Sequence, residues 1–194
     1  MKTKILSISL LLTAFYSFSQ TLETLKSNTQ KFYEANYLMD FETIVSFTYP
    51  KIVETKTANA VIIDELDLAY QNAEYRLRLQ LETVPFQFGP IKKINGKSFC
   101  AITFRNPVRY FFETKLTSET AAEKKRFLQE INKTKEVTFE PNRNSFNVKK
   151  TTTFVAVIDE TTANEWKFFN FDMPTQLDLF EVFFGKDTKK ELGL

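Results

Sequence analysis

The chain has 194 residues, of which 43% are apolar and 15% aromatic, enough to bury the core of one ordinary domain. It contains no histidine, one cysteine and four glycines, which excludes histidine-based nucleophiles, His-ligated or thiolate metal centres and glycine-rich nucleotide loops. The composition therefore predicts a protein without a metal or cofactor, and it points to no catalytic residue.

The first 19 residues have the pattern of a secretory signal peptide. Two lysines precede the apolar stretch 5–18, and Ser17 and Ser19 are small residues at the two positions that a signal peptidase reads. An uncleaved membrane anchor is the alternative, but the stretch is shorter than the roughly 20 residues that a spanning helix needs. We therefore expect cleavage before Gln20, no membrane segment afterwards, and export to the periplasm or beyond the cell.

Cleavage would leave residues 20–194 as a single α+β domain. It would remove two of the 26 basic residues and none of the 24 acidic ones, so the mature chain is formally neutral, 24 against 24. A neutral chain has no charge field for nucleic acid, and we expect no nucleic-acid partner. Cys100 lies in an apolar run, which indicates a buried small side chain; a reactive or intermolecular thiol is the alternative.

Three helices are predicted first. The face of the first consists of residues at steps of three and four: Leu22, Leu25, Thr29, Phe32, Tyr33 and Asn36. Asp40 is a candidate cap for a second, short helix that ends at Tyr49, because the residue before a proline is pushed out of the helical region. Residues 51–59 are predicted as an extended piece and a loop, and a third helix spans about 58–74.

The period then changes to two, which is typical of half-buried antiparallel strands. Strands are predicted over 75–82 and, after the Asn95-Gly96 turn, over 97–105. Pro107 is expected to bend or bulge the second strand before it continues over 108–113, since proline donates nothing to the ladder.

A polar helix is predicted over 118–133, with Thr120 and Glu123 as a possible capping box, lying over an edge or the mouth of the sheet. Short strands follow over 137–140 and 145–148. The segment 150–172 is predicted as an antiparallel hairpin with a polar connector over 159–164. An apolar tail occupies 177–183.

The order of these elements resembles one family. The stretches QKFYEANYLMDFETIVSFTYPKIVE (30–54), INGKSFCAITF (94–104) and NEWKFFNFD (164–172) resemble the opening helices, middle strand and Trp-containing last strand of NTF2-like (SnoaL-like, cystatin-like α+β) proteins, among them uncharacterised exported bacterial members. The insert 117–144 departs from a minimal member and leaves the strand count open. The resemblance implies N-terminal helices packed in the concavity of a curved antiparallel sheet, with a mostly apolar conical pocket.

Six side chains are candidate lining residues of such a pocket, and the alternative for each is a place in the core. They are Tyr33, Tyr70, Phe104, Phe154, Trp166 and Phe168.

Carboxylate chemistry is the catalytic alternative, because it needs only an acid in an apolar cavity with a tyrosine or arginine beside it. Candidate groups are the acids Asp40, Asp64 and Asp172, the hydroxyls of Tyr33, Tyr70 and Tyr110, and the cations Arg78, Arg105 and Arg109. Each acid has a simpler role as a helix cap, a solvated helix face or a strand end.

Three hypotheses about function follow. The first is an exported, non-catalytic domain that binds a small apolar ligand in the pocket or a protein partner, such as a second copy, through the outer sheet face. The second is a cofactor-free isomerase, dehydratase or hydrolase with a buried carboxylate. The third is a structural protein of envelope assembly.

Overall fold

The computed structural model describes residues 22–194, so the predicted signal peptide lies outside the described residues. The helices are α1 (22–38), α2 (Phe41–Phe47), α3 (Pro50–Val53), α4 (Lys56–Tyr70), α5 (Ser118–Ile131) and α6 (Pro174–Glu191, interrupted at Gly185). The strands are β1 (Tyr75–Leu79), β2 (Gln87–Phe88), β3 (Lys92–Ile94), β4 (Lys97–Phe112), β5 (Val137–Glu140), β6 (Ser145–Ile158) and β7 (Lys167–Asn170). None of the described helices is long and apolar enough to cross a bilayer.

All seven strands of the described chain belong to one curved, unclosed antiparallel sheet, so the predicted fold class is confirmed. Its centre is the pairing of β4 with β6, which runs in unbroken register from Ser98 opposite Ile158 to Phe111 opposite Ser145. The strands β1, β2 and β3 pair with the other edge of β4, whereas β5 and β7 share the other edge of β6.

The first helix lies against the inner face of this sheet, defined here as the face that carries Phe104, Phe154 and Phe168. Phe32 of α1 stacks on Phe168 with 4.9 Å between ring centroids and meets Phe154 at 4.8 Å. Tyr33 meets Phe104 edge-on at 5.4 Å. Helices α2 and α4 contact each other and complete this layer. The prediction of N-terminal helices packed in the concavity is confirmed.

Helix α6 packs against the opposite, outer face of the sheet. Phe184 meets Phe99 at 5.1 Å, and Phe180 meets Phe169 at 5.2 Å. Alternation along β4 and β7 places Phe99 and Phe169 on the face opposite the inner one. The tail prediction for 177–183 therefore missed a helix. The apolar residues were recognised, but not the helical spacing of Phe180 and Phe184, which lie four positions apart on the face that meets the sheet.

Helix α5 covers the far end of the inner face, as expected for a helix over the mouth. A second buried cluster forms there from Val108, Tyr110, Phe112, Ala121, Leu128, Val137, Phe146 and Val148. Leu77 and Leu79 of β1 pack against both this cluster and the main core. The predicted capping box was wrong by one turn. Thr117 is the cap and pairs with Thr120, because the helix begins at Ser118.

The helical predictions near the N-terminus were correct except around Pro50 and at the end of the third helix, which stops at Tyr70 rather than near residue 74. The predicted face of α1 is buried, and the Asp40 carboxylate accepts a hydrogen bond of 3.0 Å from the Thr43 N–H as a cap. Residues 51–59 are not a loop, because Pro50 begins the short helix α3 and α4 begins at Lys56. Proline is favoured in the first turn of a helix, where its missing N–H costs nothing.

Pro107 does not bend or bulge β4, contrary to the prediction. Its carbonyl accepts a hydrogen bond of 3.0 Å from Gln80 N, just past the end of β1, and it pairs in register with Lys149 on the other side. The ring therefore replaces an N–H that faces the interval between β1 and β2, where the strand pairing stops. An edge of this kind is where a sheet accepts proline.

Of the remaining strand predictions, the one for 137–140 was correct, but the short strand predicted over 145–148 is continuous with the first strand of the hairpin in β6, and β1 ends at Leu79 rather than at residue 82. The segment 150–172 forms an antiparallel hairpin, in which Val157 lies opposite Lys167. Asn95 and Gly96 form the turn between β3 and β4 with positive φ angles of 50° and 81°. The two-residue strand β2 and the three-residue strand β3 were not predicted, because such short segments have no measurable period.

Candidate functional site

A cavity of about 90 Å³ lies on the inner face between the main core and the cluster under α5. Its lining comes from α1, α4, β1, β4, β6, β7 and the segment after β7: Tyr33, Asn36, Leu66, Ala69, Tyr70, Leu77, Leu79, Asn106, Val108, Lys150, Thr152, Phe154, Asn170, Asp172 and Met173. The helices supply the wall opposite the sheet. Leucines and aromatic rings make most of the surface apolar, as in small-molecule sites.

One wall of the cavity is a directed chain of hydrogen bonds. The Asp172 carboxylate oxygen Oδ2 accepts from Thr152 Oγ1 at 2.6 Å and forms an ion pair with Lys150 Nζ at 2.7 Å. Thr152 Oγ1 in turn accepts from Asn106 Nδ2 at 2.9 Å. Asn106, Lys150 and Thr152 share the inner face because they are alternate or directly paired residues of β4 and β6.

This chain fixes the orientation of the Asn106 amide. A carboxylate only accepts, so the Thr152 hydroxyl proton points to Asp172 and the Thr152 oxygen must accept from an N–H. The Asn106 carbonyl oxygen, Oδ1, is then turned away from Thr152. This oxygen is buried, since Asn106 is only 6% exposed, and it finds no donor among the described residues. A buried acceptor without a partner costs free energy, so this atom is a ready partner for a donor from outside.

The other polar side chains of the cavity are satisfied within the protein. The Tyr70 hydroxyl donates to Asn36 Oδ1 at 3.3 Å, and Asn36 Nδ2 donates to the Phe32 carbonyl at 2.7 Å. The Tyr33 hydroxyl donates to the Leu81 carbonyl at 2.6 Å.

Burial keeps both tyrosines of the cavity protonated. It raises the pKa of Tyr33 to about 12, with a smaller contribution from Tyr37. Burial also raises the pKa of Tyr70, and the negative charge of Asp172 raises it further. Both hydroxyls therefore act as hydrogen-bond donors at neutral pH rather than as bases.

Three of the six predicted lining residues border the cavity, namely Tyr33, Tyr70 and Phe154. The other three are buried outside its lining. Phe104 and Phe168 pack against α1, and Trp166 is 1% exposed at the start of β7. Whether any of the six touches a ligand stays a prediction.

Of the candidate acids, only Asp172 reaches the cavity. Asp40 caps α2, and Asp64 lies exposed on α4.

The candidate cations lie elsewhere. Arg78 donates to the carbonyls of Tyr70 and Leu77, and Arg109 forms a two-pronged ion pair with Glu140 at 2.7 and 3.1 Å. Arg105 is exposed on the outer face, where it lies 3.8 Å from Glu136. The third candidate hydroxyl, that of Tyr110, donates to Asn132 Oδ1 at the end of α5.

Reasoning from the sequence missed the polar side chains that give the cavity its character. Asn106 was interpreted, with Pro107, as part of a bend or bulge, and Lys150 and Thr152 only as part of the first strand of a hairpin. The available signal was the alternation of Lys150, Thr152 and Phe154, which puts all three on one face of a strand.

Cys100 is fully buried, as predicted for a small apolar side chain. Burial raises the pKa of its thiol to about 11, and the thiol donates a hydrogen bond to the Gly89 carbonyl. The thiol therefore has little thiolate character at neutral pH.

Comparison with known proteins adds no relative: neither a protein-family model nor a curated protein sequence matches this chain.

Proposed function

We propose that this chain is an exported, non-catalytic binding domain of the NTF2-like type, and that its inner-face cavity holds a small, largely apolar molecule carrying a hydrogen-bond donor. The observation that supports this most is Asn106 Oδ1, a buried acceptor that has no donor in the described chain and belongs to a residue that lines the cavity. A hydroxyl or N–H of the ligand would remove the cost of leaving that acceptor unpaired.

The size of the cavity limits the ligand. At about 90 Å³ it is smaller than the roughly 150 Å³ apolar cavity that holds benzene. The ligand, or the part of it that enters, therefore has only a few heavy atoms.

The outer sheet face is a weaker candidate for binding a protein partner than the cavity is for binding a small ligand. Its central stretch on β4 carries Arg105 and Arg109, and the latter is already tied to Glu140 and Gln80. Apolar and aromatic residues with few charges are typical of stable interface centres, and this surface lacks that character.

A carboxylate enzyme is the second candidate, because Asp172 borders the cavity together with Tyr70. To act as a base, Asp172 would have to take up a proton from the substrate. Its Oδ2 already accepts a hydrogen bond from Thr152 and forms an ion pair with Lys150. These two contacts occupy the oxygen that would receive the proton, so we favour binding over catalysis.

Propan-2-ol and acetone test the proposed site, because they match in shape but only the alcohol donates. In titrations followed by ¹H–¹⁵N NMR, we expect shifts of cavity amides and an affinity for propan-2-ol about tenfold higher than for acetone. Equal affinities, or shifts confined to the surface, would show that the Asn106 oxygen does not select a donor.

Replacing Asn106 by leucine separates binding from stability. Asn106→Leu removes the unpaired acceptor, while the Thr152 hydroxyl loses the Asn106 donor but keeps Asp172 as its partner. We therefore expect the free energy of unfolding to rise by about 1 kcal/mol and the preference for the alcohol to disappear. The matched control is Asn36→Leu, which leaves the buried Tyr70 hydroxyl without an acceptor and should lower stability by about 1–3 kcal/mol. Urea unfolding measures both; a loss of stability in Asn106→Leu would count against the orientation inferred for the amide.

Export predicts a defined N-terminus. When the full chain is expressed in a Gram-negative host, intact-mass spectrometry of the periplasmic protein should give a chain that begins at Gln20. A protein that keeps Met1 and stays with the membrane fraction would instead indicate an uncleaved anchor.

A further inference from the structure

A second cleft, of about 310 Å³, lies at a break in the edge of the sheet and is called the edge cleft here. It adjoins the inner-face cavity, with which it shares Lys150 and Asp172 as a common wall. The C-terminal end of α5 and the first turn of α6 form its sides. A volume of this size is in the range of small-molecule sites.

The break arises because β5 and β7 pair with different parts of β6. The ladder with β5 ends where Lys149 N donates to the Glu136 carbonyl at 2.9 Å. The ladder on the β7 side ends where Phe171 N donates to the Thr153 carbonyl at 3.0 Å. Since the N–H groups of an antiparallel strand alternate in direction, the N–H and carbonyl of Thr151 point into the break.

Positive charge dominates the edge cleft. Four cations line it, Arg105, Lys133, Lys149 and Lys150, against the two carboxylates of Glu136 and Asp172. Four minus two leaves a formal surplus of two positive charges.

Both carboxylates of the edge cleft already have cationic neighbours. Asp172 pairs with Lys150 at 2.7 Å, and Glu136 lies 3.8 Å from Arg105. No carboxylate of the described chain forms an ion pair with Lys133 or Lys149, and both of these residues are exposed. Their charges are available to a ligand.

Lys133 is held at the cleft by an unusual backbone conformation. It follows the last turn of α5 with φ 49°, and its N–H donates to the Glu130 carbonyl at 3.1 Å. Glycine is favoured at this position because it adopts positive φ without a steric cost, whereas lysine does not. This turn ends α5 and places Lys133 in the lining of the edge cleft.

We propose that the edge cleft binds a doubly charged oxyanion, such as the phosphate group of a small molecule. Lys133 and Lys149 supply the two uncompensated charges. The Thr151 N–H supplies a backbone donor of the kind that oxyanions accept from. This site is separate from the proposed function, because the cavity and its Asn106 oxygen are not needed for it.

Titration with inorganic phosphate at constant ionic strength, with acetate as the singly charged comparison, tests the proposal by ¹H–¹⁵N NMR. We expect saturable shifts of the Thr151 amide, with phosphate binding about tenfold tighter than acetate. In the double variant Lys133→Asn/Lys149→Gln, phosphate affinity should fall at least about tenfold. Asparagine tolerates positive φ, so this variant removes the charge and keeps the turn.

Lys93→Gln is the matched control, since Lys93 is an exposed lysine of β3, near the opposite end of β4. It should change the phosphate affinity less than about twofold. Asn106→Leu should leave it unchanged, so a failure of the cavity hypothesis and a failure of this one are distinguishable. The proposal is overturned if the double variant binds phosphate as wild type does, or if phosphate binds no tighter than acetate.

Discussion

Replacement of Phe168 by alanine should lower the free energy of unfolding by about 3–5 kcal/mol, the largest effect expected of any single change described here. Phe168 is fully buried and its ring stacks on Phe32 of α1, with Phe47 and Phe154 within 6.5 Å. Truncation removes the packing contact between the sheet and the first helix. It also leaves a cavity that the surrounding aromatic rings cannot fill. Chemical unfolding followed by circular dichroism measures the loss.

The matched control is Phe127→Ala, because Phe127 of α5 is 42% exposed. Its truncation should lower the free energy of unfolding by less than about 1 kcal/mol. For a chain of this length the two variants should therefore differ in melting temperature by roughly 4–20 °C. Equal losses in the two variants would contradict the packing of α1 in the concavity of the sheet.

Replacement of Asp159 by alanine should lower the free energy of unfolding by about 3 kcal/mol, because it breaks a buried polar cluster at the border of the main core. The Asp159 carboxylate accepts from the Tyr49 hydroxyl at 2.6 Å and from both the N–H and the hydroxyl of Thr161 at 2.9 and 2.7 Å. Lys97 Nζ lies 3.6 Å away. Alanine would leave the buried Tyr49 hydroxyl without its acceptor.

The matched control is the neighbouring change Glu160→Ala, which removes an exposed carboxylate. It should leave the unfolding midpoint almost unchanged.

The Asp159 cluster also predicts an acid dependence. Burial alone would raise the pKa of Asp159, but the hydrogen bonds from Tyr49 and Thr161 and the charge of Lys97 outweigh it and hold the pKa below its usual value. A depressed pKa contributes stability above the unfolded value of about 3.9, and this is lost as the pH falls through the folded value. The stability advantage of wild type over Asp159→Asn should therefore be full at pH 6 and shrink below about pH 4. An advantage independent of pH would refute the role of the charge.

The sequence predicted those parts of the fold that local periodicity controls. The face of α1 and the alternation of β1 were visible because burial repeats at 3.6 and 2 residues. Pro107 was misjudged, because a single sequence does not show where the neighbouring strand ends. Helix α6 was missed, since the buried Phe180 and the half-buried Phe184 are separated by residues that include the exposed Val182, and only the outer sheet face identifies the two rings as one stripe.

The candidate site was less predictable than the fold. The aromatic candidates Tyr33, Tyr70 and Phe154 could be chosen by residue type, but Phe104, Trp166 and Phe168 looked the same and lie outside the cavity lining. The polar chain of the cavity joins residues far apart in sequence, since Asn106 and Thr152 are separated by 46 positions. Only the register of β4 with β6 brings them together.

The inner-face cavity, with its unpaired Asn106 oxygen, is the feature on which the proposed function depends. A crystal structure of the mature protein soaked in propan-2-ol tests it most directly. We predict electron density for the alcohol inside the cavity, with its hydroxyl about 2.7–2.8 Å from Asn106 Oδ1. Alcohol bound only at the surface, with Asn106 Oδ1 accepting from a side chain that fills the cavity, would contradict the account.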